Sequence, residues 1–318
     1  MVEEKRTTIA VIGLGPVGSI LAGHLAKYGQ VVVVEDIMEK LLTTIKNEGI
    51  HISGITQVTA KIENTANSMT ELAEFDPEIV FIVTKACYLK NVLTEMKNVY
   101  TPKMKIVSFQ NGLDNERLIK EHLGIDTTYR VVINFAGNLI GPGKARMHWF
   151  QPPNYIGAFH KGEYTIDGTT RKIAEILSAA DLETKETPFI KRKTWEKTIL
   201  NSALCSICAV TGQTMREAME FTYSRSLAIE ILREGLAVAK EDGHDFGENA
   251  LDRFASYLEK GGAHKPSMLV DIENKRSIEI DFMSGAIVRY GEKYGIPTPV
   301  NSTLTSLLKT IENQYSNP

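Results

Sequence analysis

The first forty residues predict a strand, a glycine turn and a helix in immediate succession. An apolar run at residues 8–12 leads into Gly13-Leu14-Gly15-Pro16-Val17-Gly18, and a helical pattern follows. In a dinucleotide-binding unit the first glycine permits the tight turn. The second lets the backbone approach a pyrophosphate, and the third lets the helix pack closely on the strand. The N–H groups at the start of the helix then face the phosphates.

A second apolar run, at residues 31–34, ends in Glu35 and Asp36. An acidic side chain about twenty residues past the glycines can accept hydrogen bonds from an adenosine ribose. The sequence therefore predicts a dinucleotide site formed by the six residues of the glycine turn together with Glu35 and Asp36. A glycine-rich turn that binds nothing is the alternative.

Length and charge exclude several classes of protein. A chain of 318 residues exceeds the usual size of a single core, which favours two domains. With a net charge of −3 it has no basic surplus for nucleic acid, and no apolar run is long enough to cross a membrane. The first strand starts too close to Met1 for a signal peptide, so we expect a cytoplasmic protein.

The three cysteines, Cys87, Cys205 and Cys208, do not suggest a disulfide framework. Cys205 and Cys208 have the spacing of a redox motif or of half a zinc site. No second Cys/His pair lies nearby, and the surrounding residues form an apolar helical run. We therefore expect buried thiols and no metal.

Residues 1–188 alternate strand and helix patterns, as in a Rossmann-type parallel sheet. Strands are predicted at residues 79–83, 105–109 and 130–135, with helices at 39–47, 88–99 and 114–123 and short edge strands at 50–52 and 58–62. Gly141-Pro142-Gly143 is typical of a hairpin turn, with 145–150 and 155–159 as its antiparallel strands. A helix at 169–180 and a strand at 182–186 complete this domain.

Residues 189–318 show only helical periodicity, which predicts an all-α second domain and a cleft between the two domains. Helices are expected at residues 192–211, 224–242, 248–259, 267–274, 278–294 and 301–313. Because ligands of open α/β sheets bind outside the carboxyl ends of the strands, Lys85 and Asn111 are candidates for contacting a ligand. A solvated loop residue and a turn-former are the alternatives.

The helical half contains further polar residues at helical spacing. Lys197 and Asn201 stand four apart, and so do Ser267 and Asp271, so each pair shares a helix face. Lys197 can reach solvent along its stem or act as a proton donor in a cleft. Glu279 can serve a site or simply complement the helix dipole. Periodicity does not choose between these interpretations.

Several short motifs, taken in order, resemble the ketopantoate reductase family over nearly the whole chain. They are the glycine turn, Thr84-Lys85-Ala86, Gln110-Asn111-Gly112, Trp195-Glu196-Lys197 with Asn201, Ser267-Met268 with Asp271, Glu279-Ile280-Asp281, and Gly291 followed by Gly295-Ile296-Pro297-Thr298-Pro299 with Asn301.

The resemblance implies hydride transfer from NAD(P)H to a 2-oxoacid, with 2-dehydropantoate reduced to pantoate in pantothenate biosynthesis as the family reaction. It implies that Lys197 is the general acid and that Asn201 and Ser267 hold the carboxylate and hydroxyl groups of the substrate. Glu279 would fix the cofactor or the ammonium group of Lys197. The nicotinamide side would be lined by Lys85, Asn111 and Ala136. A homodimer is left open.

Three positions depart from the family pattern. Cys205 and His264 stand where asparagines usually contact the substrate, which favours a 2-oxoacid with another branched or aromatic tail as the alternative substrate. Glu35 and Asp36 stand where an arginine usually binds the 2′-phosphate. Since two acids would repel that phosphate, the sequence favours NADH, with NADPH as the family-typical alternative.

Two other functions compete with this interpretation. A 3-hydroxyacid dehydrogenase of the 6-phosphogluconate type also joins a Rossmann domain to helices, but its glycine-rich substrate loop has no counterpart in this chain. A non-catalytic NAD(P) sensor would keep the fold, yet it does not need Lys197, Asn201, Ser267 and Glu279 together.

Overall fold

The computed structural model describes residues 7–316 and divides them into two compact units. The first unit comprises residues 7–84, 88–110 and 115–190, and the second comprises residues 85–87, 111–114 and 191–316. The main passage between the units thus falls after Ile190, near the predicted boundary at Thr187 and Pro188. Within residues 7–316, no helix is both long enough and apolar enough to span a membrane.

The first unit contains thirteen strands and six α-helices. The strands are β1 (Thr8–Ile12), β2 (Val31–Glu35), β3 (Ile50–Gly54), β4 (Val58–Ala60), β5 (Asn64–Ala66), β6 (Ile79–Ile82), β7 (Lys105–Ser108), β8 (Thr127–Val132), β9 (Phe135–Gly141), β10 (Lys144–Phe150), β11 (Asn154–His160), β12 (Glu163–Thr165) and β13 (Thr184–Glu186). The helices are α1 (Pro16–Lys27), α2 (Glu39–Glu48), α3 (Met69–Glu74), α4 (Leu89–Met96), α5 (Asn115–Leu123) and α6 (Gly168–Ala179).

The larger sheet is built on six parallel strands in the order β8-β7-β6-β1-β2-β5. β11 pairs antiparallel with β8, and β12 and β13 both pair with β11. Every residue of β6 is buried, as a continuous apolar run predicts for a strand covered on both faces. The predicted parallel sheet is confirmed.

A smaller sheet of four strands has the order β4-β3-β10-β9. The strands predicted near residues 50 and 58 belong to this sheet and not to the edge of the larger one. The turn at 141–143 joins β9 to β10, so the predicted hairpin between the strands at 145–150 and 155–159 is wrong. The sequence did not predict β9, because this segment mixes glycine and asparagine with apolar residues and shows no alternation of apolar and polar side chains.

The two faces of the larger sheet bury separate apolar clusters. Successive residues of a strand point to opposite faces. Val32 and Val34 accordingly pack in the cluster that includes α1, α2, α6 and the smaller sheet. Val33 packs in the other cluster, with α3, α4 and α5. Since Glu35 follows Val33 by two residues in the same strand, its side chain points to this second face.

The second unit is helical, and residues 191–316 contain no strand. Its helices are α7 (Ile190–Thr211), α8 (Met215–Glu220), α9 (Thr222–Glu241), α10 (Ala250–Glu259), α11 (Ser267–Glu273), α12 (Ser284–Tyr294) and α13 (Pro299–Ser316). The core is centred on α7, where Trp195 and Ile199 are fully buried. The all-α character predicted for this half is confirmed.

The single long helix predicted at residues 278–294 is wrong. A 3₁₀ turn at Ile280–Phe282 precedes α12, and Met283 between them has φ −110° and ψ −104°. The carbonyl oxygen of Phe282 accepts the Leu113 N–H at 2.9 Å instead of continuing a helix. Glu279 therefore lies just before a 3₁₀ turn and not in the first turn of a long helix.

Candidate active site

The glycine turn after β1 is shaped by close backbone contacts. Gly13 has a φ of +91°, and a Cβ atom there would lie 2.7 Å from the Thr84 methyl carbon. A Cβ atom on Gly18 would lie 1.9 Å from the Gly13 carbonyl oxygen, so α1 packs directly on the turn. Around Gly15, by contrast, the corresponding position has no contact within 4 Å. That open space fits the approach of a pyrophosphate.

The start of α1 presents backbone and not side chains. Gly15 is the N-cap residue, Pro16 follows, and no side chain caps the helix. Leu14 is buried in the core, while Pro16 and Val17 are half-buried. The first turn of the helix therefore fits an anionic group of a dinucleotide.

The Asp36 carboxylate is fixed at the same turn. Its Oδ2 atom accepts the Leu14 N–H at 2.9 Å, and its Oδ1 atom accepts the Met38 N–H at 2.9 Å. Two backbone hydrogen bonds to a partly exposed carboxylate hold it beside the glycines. Asp36 is thus placed where an acidic residue can accept a ribose hydroxyl.

Glu35 occupies a different environment. It is only 4% exposed, and its carbonyl oxygen accepts the Gly13 N–H at 2.9 Å. Burial raises the pKa of Glu35 to about 7, and the negative charges of Asp36 and Glu95 add to this rise. The two acids predicted together are therefore separate: Asp36 lies at the turn, and Glu35 is buried beside the sheet.

Ala136, the remaining predicted residue of the first unit, lies near the start of β9. It is exposed, and it pairs with Trp149 of β10 in the smaller sheet.

In the second unit, three predicted residues lie along one face of α7 at intervals of four. Lys197 and Asn201 are half-buried, and Cys205 is 7% exposed among apolar side chains that include Met268 and Ile280. Burial raises the pKa of Cys205 to about 12, whereas the ammonium group of Lys197 acts to lower it. The thiol is therefore protonated at neutral pH.

Lys85 is held by α11 and the segment that follows it. Its Nζ atom lies 2.6 Å from Asp271 Oδ1 and donates to the Ser277 carbonyl oxygen at 2.9 Å. Arg276 Nη2 lies 3.2 Å from the same Asp271 oxygen. Burial raises the pKa of Asp271, and the two cations partly offset this effect.

Glu279 completes this group. Its Oε1 atom accepts the Ala86 N–H at 2.8 Å. Burial raises the pKa of Glu279, while the Ala86 hydrogen bond, Lys85 and Lys197 act in the opposite direction. We call Lys85, Lys197, Asp271 and Glu279 the charged cluster, because two ammonium and two carboxyl groups interact electrostatically within it.

Ser267, His264 and Asn111 lie in shorter segments. Ser267 is exposed at the start of α11, one turn before Asp271. His264 is exposed in the preceding loop, where its carbonyl oxygen accepts the Met215 N–H at 3.2 Å. Asn111 is half-buried and directly precedes Gly112. The structure thus brings Lys85, Lys197 and Glu279 together, and Ser267 shares a helix with Asp271.

Sequence reasoning missed two members of this site. Asp271 was recognised only through its four-residue spacing from Ser267 and as part of a family motif, with no role assigned, and Arg276 was not recognised at all. The acid of the pair was visible in the sequence, but its partner Lys85 lies in the other half of the chain. Only the fold brings Lys85 to α11.

The charged cluster is suited to proton transfer next to a developing negative charge. An ammonium group on a rigid helix can donate a proton to an oxyanion and stabilise its charge before transfer. Among residues 7–316, no group of three or more His, Cys, Asp or Glu side chains is arranged to hold a metal ion.

Two family models match the chain. The model described as "Ketopantoate reductase PanE/ApbA" matches residues 9–161, and "Ketopantoate reductase PanE/ApbA C terminal" matches residues 190–312. A 2-dehydropantoate 2-reductase of Pyrococcus abyssi is 28% identical over 305 residues, which cover 95% of this chain and 96% of that protein. Another 2-dehydropantoate 2-reductase, from Streptococcus pyogenes serotype M3, is 25% identical over 310 residues, which cover 96% of this chain and 97% of that protein.

Solved structures share the fold at lower identity. The PanE/ApbA family ketopantoate reductase of Ralstonia eutropha JMP134 has a TM-score of 0.87 at 22% identity, covering 98% of this chain and all of that one. The ternary structure of D-mandelate dehydrogenase with NADH and anilino(oxo)acetate has a TM-score of 0.83 at 23% identity. The match covers 98% of this chain and 99% of that one.

Proposed function

Because the chain belongs to the ketopantoate reductase family of NAD(P)-dependent oxidoreductases, we propose that it reduces the keto group of a 2-oxoacid, with Lys197 as the general acid. The observation that carries the proposal is the position of Lys197, which is half-buried and shares a face of α7 with Asn201, within range of the charge of Glu279. A reduced nicotinamide, when bound, supplies the hydride to the carbonyl carbon. Lys197 gives its proton to the resulting alkoxide oxygen.

The other residues of the site bind the substrate and the cofactor or orient Lys197. Lys85, held by Asp271, places its ammonium group on the nicotinamide side. Glu279 keeps the Lys197 ammonium group in place through their opposite charges. Asn201 and Ser267 hydrogen-bond the carboxylate and hydroxyl groups of the substrate, while Asn111 and Ala136 line the nicotinamide side.

Replacing Lys197 tests the general acid. We expect Lys197→Ala to lower kcat by about two to four orders of magnitude while the Kd for the cofactor stays nearly unchanged. Lys193→Ala is the matched control, because Lys193 lies one turn earlier on α7 and forms an ion pair with Glu196 at 3.1 Å. A Lys197→Ala variant with near-normal turnover would exclude the role.

The first candidate substrate is 2-dehydropantoate, the substrate in the names of the curated relatives. The alternative is a 2-oxoacid with another branched or aromatic tail, reduced as by a D-2-hydroxyacid dehydrogenase. One observation favours the alternative: Cys205 lies in an apolar cluster with a protonated thiol, which is only a weak hydrogen-bond donor. The likeness to D-mandelate dehydrogenase is compatible with it.

A substrate panel distinguishes these candidates. Turnover of 2-dehydropantoate is compared with that of branched and aromatic 2-oxoacids, using NADH and NADPH. If Cys205 selects an apolar tail, Cys205→Asn shifts the kcat/KM ratio toward 2-dehydropantoate by about tenfold. Cys208→Ala, on the same helix, is the control. Efficient reduction of 2-dehydropantoate by the unaltered enzyme, lowered by Cys205→Asn, would contradict the alternative.

The cofactor proposal rests on Asp36 more than on the predicted pair of acids. Asp36 is fixed at the glycine turn, where its charge opposes a 2′-phosphate, whereas Glu35 is buried and has a pKa of about 7. We therefore propose NADH as the favoured cofactor, with NADPH as the alternative. We also propose that the protein is cytoplasmic and forms a homodimer.

A further inference from the structure

Three polar side chains of the second unit form a closed triangle that shares no residue with the charged cluster. Asp114 Oδ1 lies 2.6 Å from Lys191 Nζ and accepts the Tyr290 hydroxyl at 2.7 Å. Lys191 Nζ also donates to the Tyr290 hydroxyl oxygen at 2.9 Å. Lys191 is 7% and Tyr290 9% exposed. None of the three has a role in the proposed reaction.

The triangle attaches one short loop to the helices of this unit. Asp114 closes residues 111–114, the loop that begins with Asn111. The same loop is held at Leu113, whose N–H bonds to the Phe282 carbonyl oxygen at 2.9 Å. A Cβ atom on Gly112 would lie 2.5 Å from the Phe282 Cβ, so the loop backbone lies tightly against this residue. Asn111 thus precedes three successive anchored residues.

The triangle is connected to Lys197 through α7, the helix that carries both Lys191 and Lys197. Lys191 lies in the first turn of α7, and Trp195, one turn further, packs edge-on against the Tyr290 ring with centroids 5.1 Å apart. Trp195 Nε1 donates to Asp242 Oδ2 at 2.8 Å. These contacts fix the rotation of α7 about its axis, and Lys197 follows two residues later.

Packing alone does not account for this arrangement. A buried ion pair contributes less to stability than well-packed apolar side chains of similar volume often do. Asp114 also has a φ of +66°, in the left-handed region that is uncommon for residues other than glycine. The chain thus places a half-buried carboxylate, Asp114, in the left-handed region, where it pairs with buried Lys191 and joins the Asn111 loop to the helix of Lys197.

We propose that Asp114, Lys191 and Tyr290 are positioning residues, which hold the Asn111 loop in register with the face of α7 that carries Lys197 and Asn201. This inference rests on the proposed function, because it assigns Asn111 and Lys197 to the reaction. The triangle acts through Asn111 and does not itself touch the reacting atoms. A small displacement of the loop then lowers catalysis although the fold remains intact.

The test is a double-mutant cycle, measured as kcat/KM for the best 2-oxoacid of the panel. Tyr290→Phe keeps the ring against Trp195 and removes the hydroxyl that bonds to Asp114. Asp114→Asn keeps the side-chain shape and removes the charge. Each is combined with Asn111→Ala, and folding is checked by circular dichroism. Tyr129→Phe is the control, since the hydroxyl of this buried tyrosine of the first unit also donates to a carboxylate, Asp167, at 3.1 Å.

We expect Tyr290→Phe and Asp114→Asn to lower kcat/KM by about ten- to a hundredfold. Each should have less than about a twofold effect once Asn111 is alanine. Tyr129→Phe should change kcat/KM by less than about twofold. Equal losses in both backgrounds would overturn the inference and show a purely structural role. If Asn111→Ala itself has no effect, the proposed role of Asn111 fails, and the inference fails with it. Should Asp114→Asn not fold, Tyr290→Phe decides alone.

Discussion

The ammonium group of Lys85 lies 2.6 Å from Asp271 Oδ1, and the two side chains are 27% and 8% exposed. Lys85 lies three residues after the end of β6, whereas Asp271 lies on α11. Because an ion pair shielded from water resists exchange with solvent ions, it keeps the segment at residues 85–87 attached to α11. Ala86 strengthens this attachment by donating its N–H to Glu279.

The first prediction concerns the stability that this pair supplies. Asp271→Asn should lower the free energy of unfolding by about 1–3 kcal/mol, because it leaves the Lys85 charge partly buried without its carboxylate. Asp281→Asn is the matched control, since Asp281 pairs with Lys309 at 2.8 Å with both side chains about half exposed. That change should cost less than about 1 kcal/mol. Urea unfolding measures both, and equal losses would contradict the prediction.

The sequence predicted those parts of the fold that depend on local periodicity. The buried run of β6 was recognised because burial on both faces leaves a continuous apolar segment, and α7 was recognised by its helical periodicity. Elements that depend on partners distant in the sequence were not recognised. β9 depends on pairing with β10, and the break before α12 depends on a hydrogen bond from Leu113 to Phe282.

The candidate site shows the same division. Lys197, Asn201 and Glu279 were proposed from spacing and from family resemblance. The partner of Lys85 could not be found in this way, because Asp271 is distant in sequence. The burial of Glu35 was accessible in principle, since it shares the parity of Val33 in β2. The sequence cannot show, however, which face of a fully buried strand would accept a carboxyl group.

The second prediction separates two glycines of the turn. Gly18→Ala should destabilise the protein by about 1–3 kcal/mol, because its Cβ atom would lie 1.9 Å from the Gly13 carbonyl oxygen. Gly15→Ala should leave stability nearly unchanged, since Gly15 has a φ of −62° and open space at its Cβ position. It should instead weaken cofactor binding by at least about tenfold, or about 1.4 kcal/mol.

Thermal unfolding and titration of cofactor fluorescence measure these two effects separately. The prediction is wrong if Gly15→Ala binds NADH and NADPH as tightly as the unaltered protein does.

The third prediction is a pH dependence caused by Glu35. Its pKa rises from 4.5 to about 7 on folding, so the folded state binds more protons than the unfolded state between these values. The stability that the protonated form contributes is complete below pH 4.5 and is lost as the pH rises through 7. Relative to Glu35→Gln, the unaltered protein should therefore lose roughly 3 kcal/mol between pH 4.5 and 8.

Urea unfolding of both proteins across this pH range provides the measurement. Buried His24, whose pKa is lowered by burial, acts in the opposite direction below pH 6.5, but it is present in both proteins and cancels. Glu95→Gln, a change at an exposed position near Glu35, should alter the pH curve much less. Parallel curves for Glu35→Gln and the unaltered protein would show that Glu35 ionises normally.

The last prediction is the choice of nicotinamide. A 2′-phosphate carries nearly two negative charges, and Asp36 is held at the turn by the N–H groups of Leu14 and Met38. We therefore expect a higher kcat/KM with NADH than with NADPH. Asp36→Asn has no charge and keeps one oxygen that can accept one of these two hydrogen bonds, so it should shift the ratio toward NADPH by about tenfold, or about 1.4 kcal/mol.

Lys40 is the residue that could compensate for Asp36, because it is exposed at the start of α2 and its charge attracts a phosphate. Lys40→Ala should lower kcat/KM with NADPH and leave kcat/KM with NADH nearly unchanged. All three proteins are compared at one low ionic strength, since salt screens both the repulsion and the attraction. A preference of the unaltered enzyme for NADPH by tenfold or more would show that Asp36 does not oppose the 2′-phosphate, because the carboxylate would then have to lie away from it.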